Sequence, residues 1–250
     1  MIRGLYTSAL GMLSLTNKQD VIANNLANAN TPGFKKDYIS ITSFPEQLVS
    51  ASESYSASRR TERPVGYISP GVGIGETGFI NSNGVIRETG GTFDLALSGE
   101  GFFAVRSPQG EVYTRNGSFS KDSLGRLVSQ DGYLVLGEKG PINVGNGKVA
   151  IDVAGRVEIN GTYVDTLKVR RFATGDLAKQ GSNTFVAHAT GQTATSFTVR
   201  QGFLEGSNVD TTSELVDMTT TLGAYEANQR VLKTQDEILG KAVNEVGRIS

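Results

Sequence analysis

Reactive side chains are sparse in this sequence. The single histidine, His188, stands in "TFVAHATGQ". A lone imidazole can serve as a general base, but no Ser-His-Asp order or nucleophile elbow accompanies it. It reads as a structural or exposed group in a β segment. Cysteine is absent, which excludes disulfides and thiolate metal sites, and no second histidine completes a zinc set. No catalytic set, metal or cofactor is therefore expected. The string "GIGETG", Gly73 to Gly78, matches the letters of the dinucleotide fingerprint. That fingerprint works only between a buried strand and the start of a helix. Here "ISPGV" precedes it and "FINSNG" follows, so neither context is met. The basic cluster "RRTER", Arg59 to Arg63, lies in a polar run and reads as solvated. Net charge is -1 over 250 residues, so no field favours nucleic acid or an anionic membrane.

A different chemistry is concentrated near the N-terminus, in "VIANNLANANTPGFKKD". Asn24, Asn25, Asn28 and Asn30 crowd the end of a helical pattern. Asparagine is a mediocre helix former because its amide competes for nearby backbone groups. Caps and turns account for one or two of the four. Their spacing puts them on more than one helical face, which suits hydrogen bonds to several neighbours. Thr31-Pro32-Gly33-Phe34 then ends the helix, since proline cannot continue it.

The elements that position these groups fall into three kinds. Leu5, Met12, Leu15, Ile22, Leu26 and Ala29 share a 3-4 spacing, with Ser8 and Gln19 on the same stripe. This is an amphipathic helix. Its start, "MIRGLYTSALGMLSL", is broken by Gly, Thr and Ser and lacks a small-x-small cleavage site, unlike a secretory signal. At the other end Leu215, Met218, Leu222, Tyr225, Leu232, Leu239, Val243 and Val246 hold a heptad frame, broken by Gln229 and Asp236. Thr211 and Glu214 form a capping-box pattern at its start. The seam is narrow, as in coiled coils. No window reaches the roughly 18 apolar residues of a membrane span.

Between the helices, Gly-containing turn dipeptides recur, among them Asn116-Gly117, Asp131-Gly132 and Asn160-Gly161. Short β-type runs such as "FFAVRS" and "KVAIDV" separate them, predicting antiparallel hairpins. Residues 46–70 are Ser-rich and poor in large apolar groups, predicting an extended linker or arm. The expected fold is α+β. Residues 1–45 and 208–250 pair as a coiled-coil-like stem, and residues 71–207 form an inserted all-β domain.

The run "ANNLANANTPGFK" resembles the N-terminal signature of the bacterial flagellar rod and hook proteins. "GLYTSALGM", "LSGEGFFAV", "YTRNGSFSKDSLGRLVSQDGYLVLG" and "GFLEGSNVDTTSELVDMTTTLGAYEANQRVLKTQDEIL" agree with that family in the same order. The resemblance is weak at residues 46–70 and 141–200. It implies a non-enzymatic structural subunit of the flagellar basal body, without cofactor. In that family the terminal helices form an inner tube, copies stack with themselves and with neighbouring rod and hook proteins, and export runs through the flagellar channel. Length favours the rod members over the hook protein, with the distal type preferred to the proximal.

On this resemblance, the assembly interface is assigned to Leu5, Met12, Leu15, Ile22, Leu26, Leu215, Met218, Leu222, Tyr225, Leu232 and Leu239. Leu5, Met12, Ile22 and Leu26 are set against Leu215, Met218, Leu222 and Leu232. Asn24, Asn25 and Asn28 are expected to bond between neighbours and fix register. Thr31, Pro32, Gly33 and Phe34 are expected to redirect the chain toward the β domain. The family's export signal, a Phe followed four residues later by an apolar residue, is matched by Phe44 with Leu48 and by Phe93 with Leu97. Two other classes stay open on the residues alone: a secreted enzyme with a β domain, and a monomeric binding module.

Overall fold

The structure, a computed structural model, describes residues 2–56, 59–173 and 175–246. It is α+β, with helix α1 at Ile2–Ala27, helix α2 at Thr211–Val246, and short strands between them. α1 stops where the asparagines begin to dominate. The N–H groups of Asn28, Ala29 and Thr31 reach carbonyls only three residues back, a tightened last turn. α2 is 36 residues long and starts at the predicted capping pattern.

Two compact units divide the chain. One holds residues 1–24, 38–77 and 212–250, and the other holds 25–37 and 78–211. The segment 46–70 is not an unpaired linker. Gln47–Ser56 and Arg59–Ile68 pair as an antiparallel hairpin, with Leu48 opposite Tyr67 and Glu53 opposite Thr61. Serine and threonine supply ladder hydrogen bonds as well as any residue does, so low apolar content hid the strands. Asp37–Ser43 pairs with Val72–Phe79, which contains "GIGETG". Those glycines sit in a strand: a side chain at Gly73 would strike the ring of Phe44 at 2.9 Å.

The β unit is built on a sheet that has nine strands among the described residues. Phe102–Ser107 lies inside it, paired with Gly110–Thr114, Leu134–Val135 and Val169–Arg171. Both of its faces are covered, which explains the unbroken apolar run "FFAV". Phe103 and Val105 enter one core cluster with Leu95, Leu97 and Val169. Phe102 and Ala104 enter a second with Tyr113, Leu136 and Phe185. This is the period-2 alternation of a strand read on two buried sides. Asn160-Gly161 makes the predicted two-residue hairpin loop, with positive φ at both residues (50° and 79°).

Two turns repeat one design, Asp-x-x-Gly-Arg. Asp122 Oδ1 accepts the N–H groups of Leu124 and Arg126 at 2.9 and 2.7 Å, and Asp122 Oδ2 accepts Arg126 Nε at 2.8 Å. Asp152 does the same with Ala154 and Arg156, at 2.9, 2.9 and 2.7 Å. The Arg126 N–H holds the Asp122 carboxyl below its ordinary range. Partial burial would raise Asp152, but the Arg156 N–H and guanidinium outweigh it and hold it low too. A carboxyl depressed on folding stabilises above its unfolded pKa and loses that contribution as pH falls through the folded one. The β unit should therefore lose urea resistance as pH drops below 3.8, the ordinary value for both groups. The Asp122→Asn/Asp152→Asn variant should show a shallower drop in urea midpoint between pH 5 and pH 3; an unchanged slope would assign acid loss to other carboxylates.

Candidate assembly surface and the buried joint of the β unit

Within the β unit, the chain leaving α1 is tied down group by group. The Asn25 side chain is buried and clasps one backbone unit: its Nδ2 donates to Asp37 O and its Oδ1 accepts from Asp37 N, both at 2.9 Å. This amide closes a loop in its own chain, so it corrects the expectation that Asn25 bonds to a neighbour. Asn28 Oδ1 accepts the Thr31 hydroxyl at 3.2 Å. Asn24 is exposed. Gly33 has φ of 69° and donates its N–H to Glu205 O at 2.8 Å. A side chain on it would lie 2.3 Å from Asn116 N. Phe34 is fully buried, with Lys179 Nζ 3.8 Å from its ring centre. That ammonium also donates to both Asp37 carboxylate oxygens at 2.8 Å. Thr31 and Pro32 are half-buried.

Glu205 is the centre of this joint. Its Oε1 accepts Lys35 Nζ at 2.7 Å and Gly84 N at 3.0 Å; its Oε2 accepts Arg115 Nη1 at 3.1 Å. All three charged side chains are at most 1% exposed. One carboxylate faces two cations, so carbonyl dipoles complete the site. Ser82 O accepts from Lys35 at 2.8 Å, Leu97 O from Arg115 at 3.0 Å and Gly99 O at 2.6 Å. Burial pushes both cations down in pKa, and Glu205 opposes that push. Asn208 adds a second tie: its Oδ1 accepts Lys36 N at 2.7 Å, and its Nδ2 donates to Ile80 O at 2.8 Å. The arrangement joins segments distant in sequence by buried charge and hydrogen bonds. Nothing in it is poised to transfer a proton to a substrate. His188 is exposed, in a shallow cleft where Glu111 and Lys168 already pair with each other at 2.7 Å.

The helices carry the other predicted residues. On α1, Ser8, Ser14 and Ile22 are buried, and Leu5, Met12, Leu15 and Leu26 are half-buried. On α2, Glu214 and Thr221 are buried, and Met218, Tyr225, Leu232 and Leu239 are half-buried. Leu215 and Leu222 are 49% and 38% exposed. A side chain at Gly4 would lie 2.4 Å from Gln235 Nε2, and one at Gly11 3.6 Å from Asn228 Oδ1. The covered row of α2 is thus 214, 221, 228 and 235, next to the half-buried 218, 225, 232 and 239. Leu215 and Leu222 were set against α1 by the sequence and are corrected: they lie one residue off that row, about 100° round the helix at 3.6 residues per turn. Phe44 and Leu48 are exposed, whereas Leu97 is buried in the β core. No helix among the described residues is long and apolar enough to cross a membrane.

Sequence reasoning missed Lys35, Arg115, Lys179, Glu205 and Asn208. For all but Lys179 the only signal was a charged or amide residue set among glycines and aromatics, in "GFKK", "YTRNGSF" and "GFLEGSN".

Comparison with known proteins singles out the same stretches. Residues 5–35 match the family described as flagella basal body rod protein. Residues 96–160 match the flagellar hook protein FlgE/F/G D1 domain, and residues 200–245 match the flagellar basal body rod FlgEFG protein C-terminal family. Each of the three contains one member of the buried cluster: Lys35, Arg115 and Glu205. The chain is 34% identical to the flagellar basal-body rod protein FlgG of Bacillus subtilis, over 98% of this chain and 99% of that one. It is 30% identical to the flagellar hook-basal body complex protein FlhO of the same organism, over the whole of both chains. It is 31% identical to the flagellar basal-body rod protein FlgF of Caulobacter vibrioides, also over the whole of both. Matches this long, running through both helices and the buried joint, show that the chain belongs to the flagellar basal-body rod protein family.

Proposed function

We propose that this protein is a structural subunit of the flagellar rod in the basal body, polymerising through its terminal helices and carrying torque along the axis. The observation that carries the reading is the set of exposed apolar side chains around α2, on more than one of its faces. Leu215, Val216, Leu222, Val231, Ile238 and Val243 are all exposed, as are Tyr6 and Leu13 on α1. A soluble helix normally turns such residues inward, and a run of them left outward marks an interface. The occupants proposed are further copies of the chain and neighbouring rod and hook proteins, as the relatives' names imply. Leu5, Met12, Leu15, Leu26, Met218, Tyr225, Leu232 and Leu239, all half-buried, border that surface. Asn24 and Asn28 are proposed as its hydrogen-bonding groups.

Within the subunit, α1 and α2 are proposed to pair as an antiparallel coiled-coil-like stem. Gly4 and Gly11 are seven residues apart, and so are their partners Gln235 and Asn228 in reverse order. The buried cluster around Glu205 then serves stiffness. It holds the β unit's segments without an apolar hinge that could slide. The chain acts without catalysis or cofactor on this reading. Export through the flagellar channel, with Phe44 and Leu48 as an accessible signal, belongs to the same proposal. The distal rod is the position taken.

The test is Leu222→Asp in the full chain. An exposed leucine contributes little to the monomer, so the unfolding free energy from urea titration should stay within ~0.5 kcal/mol of wild type. Placed in a polymer contact, the unpaired charge should abolish sedimentable polymer and motility. Normal polymer and swimming in this variant would overturn the helix-mediated reading. Limited proteolysis of the dilute monomer complements it: early loss of the ends with survival of residues near 25–37 and 78–211 is the expected pattern.

A further inference from the structure

We infer that the polar layers between α1 and α2 are a rotational key, holding the pair in the one rotation that leaves the Leu215 and Leu222 row free for other copies. This rests on the proposed helix-mediated association. Two rows compete for the inside of the pair. One is the richer in apolar groups: Leu5, Met12, Gln19 and Leu26 on α1, with Asp236, Gln229, Leu222 and Leu215 on α2 in antiparallel order. The other is polar on α2, Glu214, Thr221, Asn228 and Gln235, and carries Gly4 and Gly11 on α1. Apolar burial alone would favour that row, which sets Leu26 against Leu215 and covers Leu5, Met12 and Leu222 as well. The structure takes the second arrangement.

The chosen seam is not the one that maximises pair stability. Gln235 Oε1 is buried without a hydrogen-bond partner among the described residues. A buried, unsatisfied amide oxygen opposes folding. Asn228 turns its Nδ2 back to Ala224 O at 3.0 Å. The glycines are what admit these amides, since a side chain at Gly4 would overlap the Gln235 amide. Polar residues at seam positions of coiled coils trade stability for a defined arrangement. Here the arrangement defined is rotation. Turn each helix by one residue and the outward leucines are consumed within the subunit.

The experiment is the Asn228→Leu/Gln235→Leu variant of the full chain beside wild type and Leu222→Asp. Two readouts are taken: the rate of proteolytic cleavage within α2 in the dilute monomer, and the concentration at which sedimentable polymer forms. With the key removed, cleavage should slow about tenfold and the polymerising concentration should rise about tenfold, a factor that corresponds to roughly 1.4 kcal/mol. Normal polymerisation of the double variant overturns the inference. So does weaker polymerisation without slower cleavage, because the amides would then act at the contact between copies. If Leu222→Asp polymerises as well, the association reading itself falls. If Leu222→Asp is blocked while the double variant assembles normally, only the key is lost.

Discussion

Glu205→Gln should destabilise the β unit by about 3–5 kcal/mol, the usual result of breaking a buried ion pair by removing one partner. The reason is what remains. Lys35 and Arg115 stay at most 1% exposed and lose the carboxylate paired with both. Glutamine keeps one acceptor oxygen, so it can accept from at most two of the three former donors, and its NH2 group faces the third. Urea unfolding followed in the full chain should show a lower midpoint with an unchanged slope. The pH dependence has a definite sign. Burial already lowers Lys35 from 10.5, and removing Glu205 removes the effect opposing it. A lysine depressed on folding makes stability rise with pH between its folded and unfolded values. The variant should therefore recover part of its loss between neutral pH and pH 10, more steeply than wild type. The apolar replacement Lys35→Met/Arg115→Met/Glu205→Leu should be far less damaging than Glu205→Gln, because no charge is left stranded. If Glu205→Gln unfolds at the wild-type midpoint, the cluster does not hold the joint.

Gly33→Ala should cost nearly as much, about 2–5 kcal/mol, from two separable causes. The left-handed φ of 69° penalises any β-carbon by roughly 1–2 kcal/mol. The same carbon would lie 2.3 Å from Asn116 N and 2.4 Å from Arg115 C, which are backbone atoms and cannot rotate away. Gly132 is the control: its φ is 79° and no atom lies within 4 Å of the added carbon. Gly132→Ala should show the conformational cost alone, and Gly132→Asn almost none. Gly33→Asn should remain severely destabilised, since asparagine relieves the dihedral but not the collision. Equal midpoints for Gly33→Asn and Gly132→Asn would show that the joint opens to admit the side chain. The affected backbone includes Arg115, so the variant would also disturb the ion cluster. The two sets of changes should then be non-additive when combined.

Local rules read a good deal of this protein correctly. Both helices, the start of α2 at Thr211, the all-β interior and the Asn160-Gly161 hairpin follow from periodicity and turn chemistry, whereas α1 ends at Ala27, ahead of the expected stop at Thr31-Pro32-Gly33. The heptad seams were half right. Met218, Tyr225, Leu232 and Leu239 lie beside the covered row, while Leu215 and Leu222 face out. Apolar patterning reports which residues want burial and not which surface will bury them; in this protein Leu215 and Leu222 stay exposed.

The hairpin at Gln47–Ser56 and Arg59–Ile68 escaped notice for a related reason: serines pair through the backbone and leave no apolar signature. Asn25 looked like a group for neighbours until the fold placed Asp37's peptide unit within its reach.

Element types, the α+β class and the family were thus determined by the sequence, because each rests on contacts or patterns local along the chain. The charge cluster, the steric role of Gly33 and the rotation of α2 were decided only by the tertiary structure. Lys35 and Glu205 are 170 positions apart, and no local pattern links them. A carboxylate becomes the partner of two cations only after the fold has excluded the water that would otherwise solvate all three.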